Sequence, residues 1–277
     1  MKLRKTFRHD AIQAFQFGYW PWGKPRFTVF VYYIDGLLID TGQRHMRREV
    51  LESVSPLAVD QIFLTHHHED HSGNLGPLQA QFGCPTYASA ACVELMKKPP
   101  PISWAQYLSW GKATANRSIQ VEEKQLRTSR FQFELIPIPG HAPDMLGLYE
   151  AQRGWFFSAD LFISDYIKFY LRSESMAQQI ESIRRVLQLD FEQLWCSHNP
   201  IRRGGRRRLE RKLAFLEDFY GRVSQLHGAG QPAASILREL GLREDRFLRW
   251  ISGGALSVEN MVRSVVRDEQ AHHGRAQ

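Results

Sequence analysis

The most constraining feature of this sequence is the run His66-His67-His68-Glu69-Asp70-His71, which directly follows a short apolar stretch. On an extended strand end, residues two apart face the same side, so His66 and His68 can bind one metal ion. The chain then turns, and Asp70 and His71 can face a second ion. A strand that stops, presents ligands and enters a helix holds metal ions rigidly. The run therefore predicts a metal site at a strand end.

Further along the chain, several elements match one known pattern. His141 follows a Pro-Gly turn, while Asp160 and His198 each end an apolar stretch that is typical of a strand. Asp40 ends an earlier stretch of the same kind. Together with the histidine run, these elements resemble the signature of the metallo-β-lactamase superfamily, in the family's order and over roughly residues 25–200.

The resemblance implies a site with two divalent metal ions, and zinc, iron and manganese all suit imidazole and carboxylate ligands. Asp40 would support a ligand rather than bind metal, and Asp70 would also orient the nucleophile as a catalytic residue. The family pattern assigns His66, His68 and His141 to the first ion, Asp70, His71 and His198 to the second, and Asp160 to a bridging position. Zinc is the expected metal, with iron or manganese as alternatives.

The same resemblance implies the fold, an α/β architecture in which two mixed β-sheets form an αββα sandwich flanked by helices. An aspartate rather than a cysteine at the bridging position argues against a true β-lactamase. The chain is more similar to the glyoxalase II, lactonase and ribonuclease branches. The implied activity is that of a dinuclear hydrolase, with a metal-bridging hydroxide attacking an ester, thioester or lactone carbonyl.

Two other functions stay open. Some superfamily members of this size carry a helical C-terminal region and cut RNA, so a metal-dependent ribonuclease or phosphodiesterase is the alternative. A third possibility is a nucleic-acid or partner-binding module with a vestigial metal site. The complete ligand set argues against it, because a dead site is expected to lose ligands.

Weaker patterns suggest residues around the metals. Tyr166, six residues after Asp160, is a candidate catalytic donor to a developing oxyanion, although packing alone would also explain it. Trp20 and Trp22 lie in a loop of aromatic and turn-forming residues and could bind an apolar substrate. Arg202 and Arg203 begin a basic run that could attract an anionic substrate or a phosphate backbone, or simply face solvent.

The secondary-structure pattern changes near residue 200. Before it, strands and short helices alternate, with an Asp35-Gly36 hairpin signal and Ser72 as the expected cap of a helix toward Gln81. After it, helices are predicted over 207–226, 232–240 and 257–266. We therefore expect a catalytic domain at 1–200 and a basic helical region at 201–277.

Charge and composition indicate an ordinary globular protein. The formal net charge is +7, and the excess belongs to residues 201–277, which hold 15 Lys and Arg against 9 Asp and Glu. No apolar run reaches the roughly 18 residues of a membrane span, and the charged N-terminus predicts no secretory signal. Three scattered cysteines argue against a disulfide framework. We expect a cytoplasmic enzyme with a small substrate that could be anionic. No membrane partner is expected, and nucleic acid is a less favoured partner than a small molecule. A homodimer is left open.

Overall fold

The computed structural model describes residues 1–25 and 27–275. In chain order, its strands are β1 Lys2–His9, β2 Ile12–Tyr19, β3 Val29–Ile34, β4 Leu37–Ile39, β5 Gln61–Phe63, β6 Thr86–Ala88, β7 Gln120–Val121, β8 Gln125–Arg127, β9 Gln132–Pro137, β10 Leu146–Glu150, β11 Trp155–Ala159, β12 Tyr170–Leu171, β13 Gln193–Cys196 and β14 Leu256–Ser257. A 3₁₀ turn spans Arg44–Met46. The helices are α1 Arg47–Val54, α2 Glu69–Ser72, α3 Leu75–Phe82, α4 Ala90–Lys97, α5 Trp104–Trp110, α6 Met176–Val186, α7 Gly205–Gly228, α8 Ala233–Glu239, α9 Arg246–Ile251 and α10 Val258–Arg275.

The strands form two large sheets. The first has the order β1-β2-β3-β4-β5-β6-β7 and the second β13-β11-β10-β9-β8, while β12 and β14 form a small third sheet. In the first sheet, β1 to β4 pair antiparallel and β4 to β7 pair parallel. In the second, only the β11–β13 pair is parallel. Both sheets are mixed, as predicted.

Three hydrophobic clusters hold the sheets and helices together in layers. Between the sheets lie aromatic side chains such as Tyr32, Phe63 and Phe157. The outer face of the first sheet is covered by α1, α3 and α4, and that of the second by α6, α7 and α10. Helices therefore cover both outer faces, and the predicted αββα sandwich is confirmed.

The predicted Asp35-Gly36 turn joins β3 and β4. Both residues have positive φ, 46° and 87°, which a tight hairpin turn of this type requires. The hairpin delivers Asp40 immediately after β4, where it also adopts a positive φ of 62°. A non-glycine residue in this region is strained, and here the surrounding hydrogen bonds hold it in place.

The C-terminal helices share a core with the second sheet. Side chains of β10, β11 and β13 occupy one cluster with Leu209 and Leu216 of α7 and Val262 of α10. The expected region 201–277 thus packs directly on the 1–200 part; residues 276 and 277 lie outside the described residues. None of the described helices is both long and apolar enough to cross a membrane.

One local expectation was wrong, and two elements were not predicted from the sequence. Ser72 caps no helix: it ends α2, and its hydroxyl donates to the carbonyls of His67 and His68, both at 2.9 Å. The charged strand β1 and the short helix α9 carry no clear apolar period, and the sequence pattern missed both.

Candidate metal centre

The predicted ligands come from loops at one edge of the sandwich. The histidine run follows β5, Asp160 follows β11, His198 follows β13, and His141 lies in the loop that enters β10. Because β4 and β5 are parallel to each other, as are β11 and β13, their carboxyl ends lie at a common edge in each sheet. Ligand sites in such sheets form outside these ends, where loops from several strands converge.

Three histidines form the first ligand group. His68 Nδ1 lies 3.1 Å from His66 Nε2 and 3.0 Å from His141 Nε2. His66 is fully buried and His141 is 8% exposed. Three ring nitrogens that point at one small volume can coordinate a single ion.

The second group contains Asp70, His71, Asp160 and His198, and its ligand atoms all lie within 4.8 Å of one another. Asp160 connects the two groups. Its Oδ2 lies 3.1 Å from His198 Nε2 and 3.3 Å from His141 Nε2, while Oδ1 lies 3.4 Å from His71 Nε2. This is the position that a bridging carboxylate requires.

Other residues fix the orientation of the ligand rings. Asp40 Oδ2 lies 2.8 Å from His71 Nδ1, and Asp40 itself accepts hydrogen bonds from the backbone N–H and hydroxyl of Thr65. The Thr28 carbonyl lies 2.6 Å from His198 Nδ1. In both cases one ring nitrogen is engaged away from the site, so Nε2 faces the other ligands.

The remaining members of the histidine run have structural contacts. His67 points away from the ligands: its backbone N–H donates to Asp144 at 2.8 Å, and its Nδ1 lies 2.9 Å from the same carboxylate. Glu69 is buried, and burial together with the charge of Asp70 raises its pKa to about 8. Asp144 therefore anchors the loop that presents the ligands.

The electrostatics of the two groups differ. Burial, with the neighbouring ring of His71, lowers the pKa of His66 well below its usual range, so that its ring is neutral. Burial also lowers the pKa of His71, but Asp70, Asp160 and Asp40 outweigh it and hold this pKa well above normal. Burial raises the pKa of Asp160, and the charges of His198 and His71 bring it well below normal. A histidine group beside a carboxylate-rich group can hold two cations.

Two buried atoms test whether the residues fit metal ions. His71 Nε2 and Asp160 Oδ1 lie 3.4 Å apart, but neither makes a hydrogen bond of good geometry within the described residues. Such atoms are costly to bury unless something else satisfies them. Both point into the volume enclosed by the other ligands, and imidazole and carboxylate are the donors that zinc, iron and manganese bind. The site fits divalent metal ions.

A cavity of about 470 Å³ opens onto this site. His68, Asp70, His141, Asp160 and His198 form one side of it. Aromatic and aliphatic side chains form much of the remainder, and they come from distant segments: Trp20, Phe27, Trp110, Ile163, Phe247, Leu248 and Ile251. A mostly apolar cavity with a few convergent polar groups is typical of a small-molecule site.

Of the aromatic residues that the sequence suggested near the metals, the structure brings one to the cavity and leaves two outside it. Trp20 lines the cavity, but Trp22 is 68% exposed and does not. Tyr166 is not brought to the ligands: it is 64% exposed, and its ring packs edge-on against Phe215 of α7. This corrects the expectation that Tyr166 faces the reacting group, because the chain after Asp160 turns outward onto α7.

The basic run after residue 200 also lies away from the cavity. Arg202 and Arg203 are exposed and line no part of it. Two later arginines serve the fold instead, since Arg206 donates to the carbonyls of Leu187 and Leu189, and Arg208 pairs with Asp165 at 2.6 Å. A substrate-binding role for Arg202 and Arg203 stays a prediction.

Two residues of the site were not predicted from the sequence. Glu174 is buried and lies 3.3 Å from His141 Nδ1, so it orients that ligand from the start of the α6 segment. Lys212 is 1% exposed and donates to the carbonyl of Leu161, next to Asp160, at 2.6 Å. The sequence could have predicted the burial of Lys212, because this residue falls between Leu209 and Leu216 on the apolar face of α7.

Burial lowers the pKa of Lys212 to about 8, against the opposing charges of Glu174 and Asp160. Because the folded-state pKa lies below the unfolded value of 10.5, the charged lysine destabilises the fold at low pH, and this cost disappears as pH rises from about 8 to 10.5. We expect the free energy of unfolding of the wild type to gain about 3 kcal/mol over this interval relative to Lys212→Met. Chemical denaturation of chelator-treated protein at several pH values measures it.

The exposed Lys168→Met is the matched control and should follow the wild type at every pH. Parallel stability curves for wild type and Lys212→Met would contradict the lowered pKa.

The fold and this ligand arrangement together define a protein with a site for divalent metal ions in the loops at one edge of an αββα sandwich. The family model of the metallo-beta-lactamase superfamily matches residues 25–198, and the chain belongs to that superfamily. The match covers Asp40 and every predicted ligand from His66 to His198.

Individual relatives are more distant. The chain is 28% identical over 138 residues to a hydroxyacylglutathione hydrolase of Bdellovibrio bacteriovorus, which covers 50% of this chain and 48% of that protein. A hydroxyacylglutathione hydrolase of Idiomarina loihiensis is 22% identical over 81% of both chains. A solved metallo-beta-lactamase family protein of Thermus thermophilus matches with a TM-score of 0.68, 19% identity and 95% coverage of each chain. That structural likeness shows the fold.

Proposed function

We propose that this protein is a dinuclear metal-dependent hydrolase that cleaves a thioester, ester or lactone carbonyl. The observation that carries the proposal is a cavity whose one side is formed by five of the seven proposed ligands and whose other sides are largely apolar. The names of the two hydroxyacylglutathione hydrolase relatives support a thioester within this group of substrates.

The residues at the site would have two roles, metal binding and orientation of the attacking water. His66, His68 and His141 would hold one ion, and Asp70, His71 and His198 the other, with Asp160 shared. When bound, such ions supply Lewis acidity to a carbonyl oxygen and lower the pKa of a water molecule. Asp70, which lines the cavity and lies 3.5 Å from His198, would accept a hydrogen bond from the attacking water and orient it toward the carbonyl carbon.

The apolar side chains act on the substrate. Trp20, Trp110 and Phe247 border the same cavity as the ligands and would exclude bulk water from the reacting group. An acyl chain or an apolar ring would bury its surface there, which holds the carbonyl close to the ligand residues.

We test the proposal with protein loaded with Zn²⁺, Fe²⁺ or Mn²⁺ and a panel of thioesters, esters and lactones with short and medium acyl chains. Turnover of at least one class that a chelator abolishes and the metal restores is the expected result. Absence of turnover across the panel in protein that contains metal would overturn the proposal. Metal content measured after gentle purification tests zinc as the native metal.

The alternative of RNA or phosphodiester cleavage is tested on the same preparation. Binding through phosphates would make cleavage fall steeply with salt concentration. Salt-sensitive RNA cleavage without carbonyl turnover would replace the proposed function with the alternative.

A further inference from the structure

Helix α9 has two chemically different faces. Phe247, Leu248 and Ile251 line the apolar cavity beside the metal ligands. Arg246, Arg249 and Trp250 line a second cavity, of about 980 Å³, on the other side. Phe247 and Trp250 are three residues apart and therefore adjoin on the helix surface, so the two sets of side chains meet there and this short segment borders both cavities.

The second cavity, here called the arginine pocket, is strongly basic. Five arginines line it against one carboxylate, that of Glu259, and they are Arg172, Arg246, Arg249, Arg263 and Arg267. Glu259 is already paired, at 2.6 Å with both Arg249 and Arg263. Within residues 1–25 and 27–275, neither Arg172 nor Arg246 has a carboxylate within 4.0 Å. The pocket therefore has unneutralised positive charge.

An aromatic side chain borders this charge. Trp250 is 77% exposed, although large aromatic side chains are usually buried. It lies on the pocket wall among guanidinium groups, next to Phe247 at 6.4 Å between ring centroids. An exposed indole beside arginines is suited to stack on a flat base whose phosphates the arginines bind.

A third cavity, of about 630 Å³, shares lining residues with both of the others. His68 and His141, which also line the apolar cavity, line it together with Arg172. Arg172 also lines the arginine pocket, where its guanidinium occupies the side of Gly254 on which a side chain would project. From the ligand histidines, one route thus leads to apolar walls and another leads to arginines.

We propose that the substrate is an acyl thioester of a phosphate-bearing, nucleotide-terminated carrier thiol, an inference that rests on the proposed function. The acyl chain occupies the apolar cavity and the thioester carbonyl lies at the ligand residues. The carrier passes through the third cavity, and its phosphates bind in the arginine pocket with the base on Trp250. Hydrolysis breaks the C–S bond, joins the oxygen of water to the acyl carbon, and releases a carboxylic acid and the thiol.

The arrangement explains why a short C-terminal helix lies beside the metal centre. A wall that is apolar on one face and cationic on the other separates two parts of one ligand with opposite solvation. Arginine–phosphate contacts are charge-assisted and geometrically specific, so they supply affinity for the carrier that the acyl cavity cannot.

The test compares two thioesters with the same acyl group, octanoyl-coenzyme A and octanoyl-N-acetylcysteamine, which lacks phosphates and base. We expect kcat/KM to be at least about tenfold higher for the phosphorylated substrate, since each charge-assisted contact is worth about that factor. In the double variant Arg172→Ala/Arg246→Ala, the ratio of the two values should fall toward one. The double variant Arg117→Ala/Arg238→Ala removes the same charge at exposed positions outside the three cavities and should keep the ratio.

A binding measurement separates this proposal from the enzymatic one. Titration calorimetry with adenosine 3′,5′-bisphosphate, which has no thiol, should show binding that weakens with salt and with Arg172→Ala/Arg246→Ala, while adenosine binds weakly. Thioester turnover with a substrate ratio near one and no bisphosphate binding would overturn the carrier proposal and leave the hydrolase intact. Arginine-dependent bisphosphate binding without turnover of any thioester, ester or lactone would overturn the hydrolase and support the phosphate site. Preference for single-stranded RNA over the bisphosphate would also overturn the carrier proposal.

Discussion

Asp160→Asn is expected to lower the proposed hydrolytic turnover by more than about 100-fold and to reduce the bound metal from the proposed two ions per chain to one or fewer. Substitution of a residue that only orients a ligand lowers metal affinity or activity by about 10–100-fold. Asp160 itself lies between both ligand groups, so its substitution should have a larger effect. The substitution keeps the size of the side chain but removes the anionic charge that faces His141 and His198. Elemental analysis of the purified variant and a thioester assay measure both effects.

Asp218→Asn is the matched control, because Asp218 is 67% exposed on α7 and pairs only with Arg222 among the described residues. It should retain full metal content and activity. A second measurement keeps the prediction informative if Asp160→Asn is less stable: adding Zn²⁺ should raise the melting temperature of the wild type far more than that of the variant, since a ligand stabilises only the state that binds it. Unchanged metal content in Asp160→Asn would contradict the shared-carboxylate arrangement.

Glu174→Gln has the second largest expected effect, a loss of about 10–100-fold in metal affinity. The Glu174 carboxylate lies 3.3 Å from His141 Nδ1 and accepts a hydrogen bond from Gln179 at 2.7 Å. A neutral amide cannot match the charge that holds the imidazole of His141 in place. Competition with a chromophoric chelator measures the dissociation constant of each ion.

The effect should fall on the histidine-rich site, because His141 belongs to that group. Glu181→Gln, at an exposed position of α6, is the control and should bind both ions normally. Equal weakening of both ions, or none, would show that Glu174 does not act through His141.

Glu174 also shows how the C-terminal helices reach the metal centre. Its backbone carbonyl accepts hydrogen bonds from Ser264 and Arg267 of α10, both at 3.0 Å. Asp268 of α10 accepts from the Ser175 hydroxyl at 2.9 Å. A segment about ninety residues further along the chain therefore fixes the residue that orients His141.

The sequence was informative wherever function depends on a local pattern. The spacing within the histidine run, the Asp35-Gly36 turn and the strand-ending positions of Asp160 and His198 are set by neighbours a few residues away. Such short-range geometry repeats whenever the same residue types repeat. Prediction from sequence is less reliable for Tyr166, because the orientation of its side chain depends on the packing of a whole loop against Phe215.

By itself, then, the sequence indicated a metal site, because histidines and carboxylates at strand ends form a pattern that is readable in one dimension. The layered fold followed from the resemblance that these residues carry to the metallo-β-lactamase superfamily. Only the tertiary structure decided what surrounds the metals: the buried Lys212, the support from Glu174, and the division of α9 between an apolar cavity and the arginine pocket. The physical reason is that these features arise from helices that pack across long sequence separations. Their positions are set by the shared core beneath them, and no spacing along the chain encodes them.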